Sequence, residues 1–231
     1  EFISSPSFSI RLRRAISIAW EIFGRKVGGG LIPVNKEASM QLQYAYVLKQ
    51  LLPMILTHPD EEADIELETG VRLEGVAGRN NIDVLVKGRS DAGEFKIAIE
   101  MKCYRNISAS GGKRGATDIF MKDVYVDLHV LERYVEQKVA DAGVALVMND
   151  LPRLVNPAEK NGKAWAYDLS HGFDFAGGRI VVDVGGKPVD VDLKRAYAFR
   201  WSQFGSIWFA EIEGAAVEQL APSQPPAQEG P

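Results

Sequence analysis

Val144, Ala145, Leu146, Val147 and Met148 form an unbroken apolar run directly after the longest amphipathic stretch of the chain. A run this short and without alternation reads as a strand buried on both faces, since a half-exposed strand would place a polar residue at every second position. The stretch before it predicts a helix from Thr117 as N-cap to about Ala140. Phe120, Val124, Leu128, Leu131, Val135 and Val139 make its apolar stripe, and Gly143 stops it. A strand of that kind needs cover on both sides, which points to an α/β architecture. A chain of 231 residues, 46% hydrophobic and 25% charged, can bury such a core as one domain or one domain with an extension.

The remaining periodicity fills in the order. A helix is expected from about Phe8 to Phe23, ending at Gly24, with Gly28-Gly29-Gly30 as a flexible connection. The first nine residues look like a trimmed start and carry no structural weight. From Asn35, a second helix is written by Met40, Tyr44, Val47, Leu48, Leu51, Leu52 and Ile55, and Pro59 closes it. Alternation then predicts strands through Ile65–Val71, Ile82–Val86 and Phe95–Met101. After the long helix and the buried strand come further strands over Arg179–Val184, Val189–Arg200 and Ile207–Ile212. Four of the 11 prolines fall in the last ten residues, so a disordered tail is expected from Gly214. The implied division is 1–34 (helix and Gly-rich connection), 35–150 (core), 151–213 (C-terminal β extension packed on the core) and 214–231 (tail).

Composition excludes several classes. No apolar run reaches the roughly 18–20 residues of a membrane helix. The single cysteine, Cys103, forms no internal disulfide, and His58, His129 and His171 lack zinc-site spacing. A reducing, cytoplasmic setting is therefore expected. The net charge of −4 conceals segregation. Residues 9–36 carry a local +5, residues 102–117 a local +4, and residues 58–68 a local −6. The acidic run reads as a solvated face, whereas the basic stretches become phosphate contacts if chemistry lies beside them.

Asp83, Glu100 and Lys102 supply that chemistry. Asp83 lies five residues before Gly88 and Glu100 five after Phe95, so an antiparallel hairpin centred near Asp91 and Ala92 sets the two carboxylates almost opposite each other. Like charges facing one another on apolar strands need a cation or a proton between them. Alternation puts Ala98, Glu100, Lys102 and Tyr104 on one face, and Ile97, Ile99, Met101 and Cys103 on the other. Two carboxylates and an ammonium on one sheet face can hold a divalent, oxygen-seeking ion such as Mg²⁺ beside an attacking water. This is equipment for hydrolysing a phosphodiester.

The pattern Asn81-Ile82-Asp83 followed by Glu100-Met101-Lys102, within a helix, three strands, helix, strand order, resembles the PD-(D/E)xK, or restriction-endonuclease-like, nuclease superfamily over about residues 35–148. Ile82 stands where the family motif has proline. The resemblance implies a restriction-endonuclease-like core with a mixed sheet flanked by helices, Mg²⁺ (or Mn²⁺) as cofactor, DNA as partner, and the homodimer that members of the family frequently form. It assigns Asp83 and Glu100 as metal ligands with help from the Met101 carbonyl. Lys102 would orient or activate water, and Glu37 on the preceding helix would complete the metal's surroundings. Glu37 equally reads as a carboxylate favoured by the helix dipole, and Gln41, one turn later, shares both readings.

Around this constellation, Arg105, Lys113, Arg114 and Lys122 are the candidate nucleic-acid contacts, with the helix N-terminus at Thr117 adding backbone donors. Gly112-Lys113 is not a P-loop, because Arg114 stands where Ser or Thr is required. The aromatic cluster Tyr197, Phe199, Trp201, Phe204, Trp208 and Phe209 reads as core closure in preference to base stacking, since its spacing mixes both strand faces. The expected function is a Mg²⁺-dependent deoxyribonuclease. The alternatives are a catalytically inactive DNA- or protein-binding module of the same fold, and a hydrolase for a small phosphorylated substrate.

Overall fold

The structure, a computed structural model, describes residues 5–75, 80–107, 111–112, 114–186 and 189–217. Two helices come first, α1 (Phe8–Gly28) and α2 (Glu37–Ile55), followed by strands β1 (Glu62–Val71), β2 (Asn80–Ser90) and β3 (Gly93–Tyr104). Helix α3 (Thr117–Glu136) leads to β4 (Ala142–Asn149) and the one-turn α4 (Pro152–Val155). The C-terminal part holds the short strands β5 (Asp174–Phe175), β6 (Gly178–Val181), β7 (Asp190–Leu193) and β8 (Tyr197–Ala198), then β9 (Trp201–Phe204) and β10 (Ile207–Glu213).

Six strands form one mixed sheet in the order β1-β2-β3-β4-β10-β9. The pair β3–β4 is parallel, and every other pair in that sheet is antiparallel. The parallel pair needs a crossover, and α3 provides it. Each face is covered by its own apolar cluster. Val84, Val86, Ile97, Ile99, Met101, Val144, Leu146 and Met148 pack under α1 and α2. Leu85, Ala98, Ala145 and Val147 pack under α3 and the C-terminal segment. Hence β4 is buried on both sides, as its unbroken apolar sequence requires.

Several boundaries differ from the sequence expectation, each for a packing reason. Helix α1 runs past Gly24 to Gly28, because both glycines lie where the sheet edge presses on the helix. A Cβ on Gly28 would stand 2.3 Å from the Phe204 carbonyl oxygen, and one on Gly24 2.8 Å from the Phe204 ring. Both are close-approach residues, and Gly24 lies inside the helix instead of stopping it. Helix α2 ends at Ile55 with Pro53 in its last turn, ahead of Pro59. Helix α3 starts with Thr117 as its first residue, after Ala116 in a left-handed conformation, and ends at Glu136. Gly143 therefore falls inside β4, where it meets Leu131 of α3.

The C-terminal strands complete the sheet. Trp208–Glu213 of β10 pair antiparallel with Val144–Asn149 of β4. Phe199 and Trp201 are buried, the Phe199 ring stacks 5.6 Å from Tyr125, and the Trp201 indole donates to the Leu169 carbonyl at 2.6 Å. The aromatic cluster thus closes the core. Ala215 exchanges backbone hydrogen bonds with Ala196. The rest of the expected tail, from residue 218, lies outside the described residues.

The acidic run is a solvated face for the most part. Glu62 pairs with Arg89 at 2.7 Å, Asp64 with Lys49 at 2.6 Å, and Glu66 with Lys87. Glu61 is the exception: it is buried and joined to the equally buried Arg11 of α1. Arg11 also donates to the Ile55 carbonyl at 2.9 Å, so this pair ties α1 to the end of α2 and the start of β1. Among the described residues, no helix is long and apolar enough to cross a membrane.

Candidate active site

The β2–β3 hairpin turns through Asp91 and Ala92, with Ser90 opposite Gly93 and Gly88 opposite Phe95. The ladder runs to Val84 opposite Ile99 and stops there, one position short of Asp83 and Glu100. The stop has a local cause. Oδ2 of Asp83 accepts the Met101 amide at 2.7 Å, taking the place a ladder carbonyl would occupy. On its other side, the Asp83 carbonyl accepts from Nε2 of Gln41 on α2 at 2.5 Å, and the same nitrogen reaches Oε1 of Glu68 at 2.9 Å. Glu68 has a left-handed backbone, φ 53°, in the middle of β1. Asp83 is therefore fixed by a strand amide and a helix side chain at the point where β2 and β3 part.

Glu100 and Lys102 lie on the face that receives α3, in line with the alternation of β3. Lys102 is shared between acids from two helices that pack against opposite faces of the sheet. Its ammonium is 3.2 Å from Oδ2 of Asp127 on α3 and 3.5 Å from Oε1 of Glu37 at the start of α2. The other oxygen of Glu37 accepts the Cys103 amide at 3.4 Å. Glu37, Asp83, Glu100, Lys102 and Asp127 thus form one electrostatically coupled group at the end of the β2–β3 hairpin.

That group holds four carboxyls against one ammonium, and burial dominates its electrostatics. Desolvation, with Glu37 and Glu68 adding to it, pushes Asp83 up to about 6 in spite of the Met101 amide and Lys102. Desolvation likewise takes Asp127 up to about 7, even with Lys102 beside it. Glu100 is pushed well above the ordinary range by burial and then by Asp83 and Asp127. Its Oε1 is buried with no hydrogen-bond partner among the described residues. Burial works against the Lys102 ammonium, yet Asp127 and Glu37 more than offset it and raise its pKa. Lys102 is accordingly a fixed cation and a poor proton acceptor.

Among the described residues, no three His, Cys, Asp or Glu side chains stand together as a ready metal cage. The donors available to a cation are the pair Asp83 and Glu100, with the orphaned Glu100 oxygen as the clearest unsatisfied group. A pair is compatible with Mg²⁺, which takes one or two carboxylates and fills its remaining positions with water and substrate oxygens. The side chain of Met101 points into the opposite core.

The other sequence candidates fall in different places. Arg105 is half-buried, pairing with Asp150 at 3.0 Å and donating to the Val34 carbonyl at 3.1 Å, so it fastens the loop after β3 to the fold. Arg114 is exposed, while its backbone is held by Asn106 and by the Tyr104 hydroxyl. Lys122 pairs with its neighbour Asp123 at 2.5 Å. Lys113 lies outside the described residues. Sequence reasoning missed Asp127, Glu68 and the Tyr134 hydroxyl that adjoins Glu100. Asp127 carried a signal: Val124, Asp127, Leu131 and Tyr134 follow three- and four-residue steps, which puts an acid on the core-facing stripe of α3. No family model, curated protein or solved structure matches this chain.

Proposed function

We propose that this chain is a metal-dependent nuclease of the PD-(D/E)xK type, hydrolysing phosphodiester bonds of DNA with Mg²⁺ or Mn²⁺ as cofactor. The observation that carries the reading is the arrest of the β2–β3 ladder at Asp83 and Glu100, with Lys102 next along the same face and Glu37 reaching in from the preceding helix. Four carboxyls sharing one ammonium leave a deficit of positive charge, and a divalent cation between Asp83 and Glu100 would relieve it. When bound there, the ion would supply Lewis-acid charge for the phosphate and acidify a water.

The chain's own residues would divide the remaining work. Asp83, braced by the Met101 amide and by Gln41, presents a carboxylate whose direction is set before substrate arrives. Glu100 contributes the unpaired oxygen. Lys102, kept cationic by its acidic neighbours, offsets charge that develops on the phosphoryl oxygens. Glu37 holds one side of that ammonium. DNA as the substrate comes from the family resemblance. A non-cutting binding module of the same fold is the second reading, favoured by the lack of a three-ligand grouping among the described residues.

Purified protein should be incubated with plasmid and with single-stranded DNA, in Mg²⁺ or in EDTA, alongside Asp83→Asn and Lys102→Ala. Mg²⁺-dependent cutting by the wild type, lost in both variants, is expected. No cutting under any condition would favour the binding module, and equal cutting by all three proteins would show that Asp83 and Lys102 do not carry the activity.

A further inference from the structure

The ammonium of Lys102 has two acidic neighbours, of which the sequence points only to Glu37 as a site residue. Asp127 is the nearer, at 3.2 Å against 3.5 Å. It projects from the middle of α3, inward from a 20-residue helix whose Val124, Leu128 and Leu131 are locked in the core. Its side chain is 15% exposed and that of Lys102 20%, so neither end of the pair swings freely in solvent. An acid on the core-facing stripe of a helix is costly to bury and is normally replaced by an apolar residue unless it holds a partner. Here the partner is the lysine beside Glu100.

We propose that Asp127 is a positioning residue: together with Glu37, it clamps Lys102 from the opposite side of the sheet and fixes the ammonium beside Asp83 and Glu100. This rests on the nuclease reading of the same site. A lysine stem has four rotatable bonds, and a single salt bridge leaves the ammonium free to swing. Two acids on separate helices remove that freedom. Glu37 sits in the first turn of α2 and is more exposed than Asp127, its side chain being 42% accessible, so the rigid half of the clamp is Asp127. Its contribution is orientation, not contact with the phosphate.

The test combines turnover with stability. With DNA and Mg²⁺, Asp127→Asn should lower kcat roughly 10- to 100-fold, the loss usual for outer groups that orient a reacting one, with KM unchanged. Asp127→Glu should restore most of it. Wild-type kcat in Asp127→Asn, or a loss that falls on KM alone, would overturn the proposal. Thermal melts of Lys102→Met, Asp127→Asn and the double variant, without DNA, stand apart from cleavage. Lys102→Met should depress the melting midpoint more in the wild-type background than in Asp127→Asn, because only the former leaves a buried acid unpaired. Equal depression in both backgrounds would refute the clamp. If the wild type does not cut DNA, the nuclease reading fails while the melts still decide whether Asp127 holds Lys102.

Discussion

Replacing Asp83 by asparagine should stabilise the protein above neutral pH and leave it unchanged in acid. Moving a carboxyl from its ordinary 3.8 to about 6 opposes folding by roughly 3 kcal/mol once the group is ionised, at 1.36 kcal/mol per tenfold change in proton affinity. Asp83 is only half-buried, so solvent screening reduces the expected gain to roughly 1–2 kcal/mol at pH 8. Asparagine keeps an oxygen to accept the Met101 amide, so the hydrogen bond survives while the charge goes. The sign follows from proton counting. Between pH 3.8 and about 6 the folded protein holds more protons at this position than the unfolded chain, so wild-type stability falls as pH rises through that window. Asp127, raised to about 7, extends the fall to neutrality. Thermal melts in metal-free buffer at pH 4 and pH 8 read this directly. The variant should melt roughly 3–6 °C above the wild type at pH 8 and together with it at pH 4. A variant no more stable than the wild type at pH 8, or equally stabilised at both, would refute the argument that the site carries uncompensated negative charge.

Further predictions concern the scaffold. Glu61 sits at the opposite extreme: burial would push it up, but the Arg11 guanidinium and the Thr57 and His58 amides prevail and hold it down to about 2. Its stabilisation is present above pH 4.5 and is lost as pH falls toward 2; Glu61→Gln should cost roughly 3 kcal/mol at pH 7 in urea melts, and a cost below half of that would contradict a structural role for the pair. Gly28→Ala should destabilise by roughly 2 kcal/mol although alanine favours helices by about 1 kcal/mol, because its Cβ would meet the rigid Phe204 backbone; a raised urea midpoint would show that α1 and β9 separate easily. Burial pushes the Cys103 thiol up to about 12, so a thiol reagent at pH 8 should label it only on unfolding, and rapid labelling of the folded protein would place Cys103 at the surface.

How much of this was legible beforehand depends on the range over which the residues act. Residues 80–104 form a hairpin with a two-residue turn, so counting from Gly88 and Phe95 was enough to set Asp83 level with Glu100. The alternation that separates Glu100 and Lys102 from Met101 and Cys103 is a property of any strand. Local counting could place Asp127 on the core-facing stripe of α3 but not beside Lys102, because that contact arises only when α3 is folded over the sheet by the parallel pairing of β3 with β4. The same limit explains Arg105, which looked like a free cation in a basic loop and is engaged by Asp150, 45 residues away.

The sequence alone determined the alternation of helices and strands, the burial of β4 on both faces, and which hairpin positions carry acids and an amine. These rest on periodicity and turn chemistry, which act between residues close along the chain. Tertiary structure decided that β10 would extend the sheet from β4, that Gly24 would be a contact point inside α1 instead of its end, and that one ammonium would be shared by Glu37 and Asp127. Those outcomes depend on which apolar faces meet, and burial, unlike periodicity, belongs to no single segment.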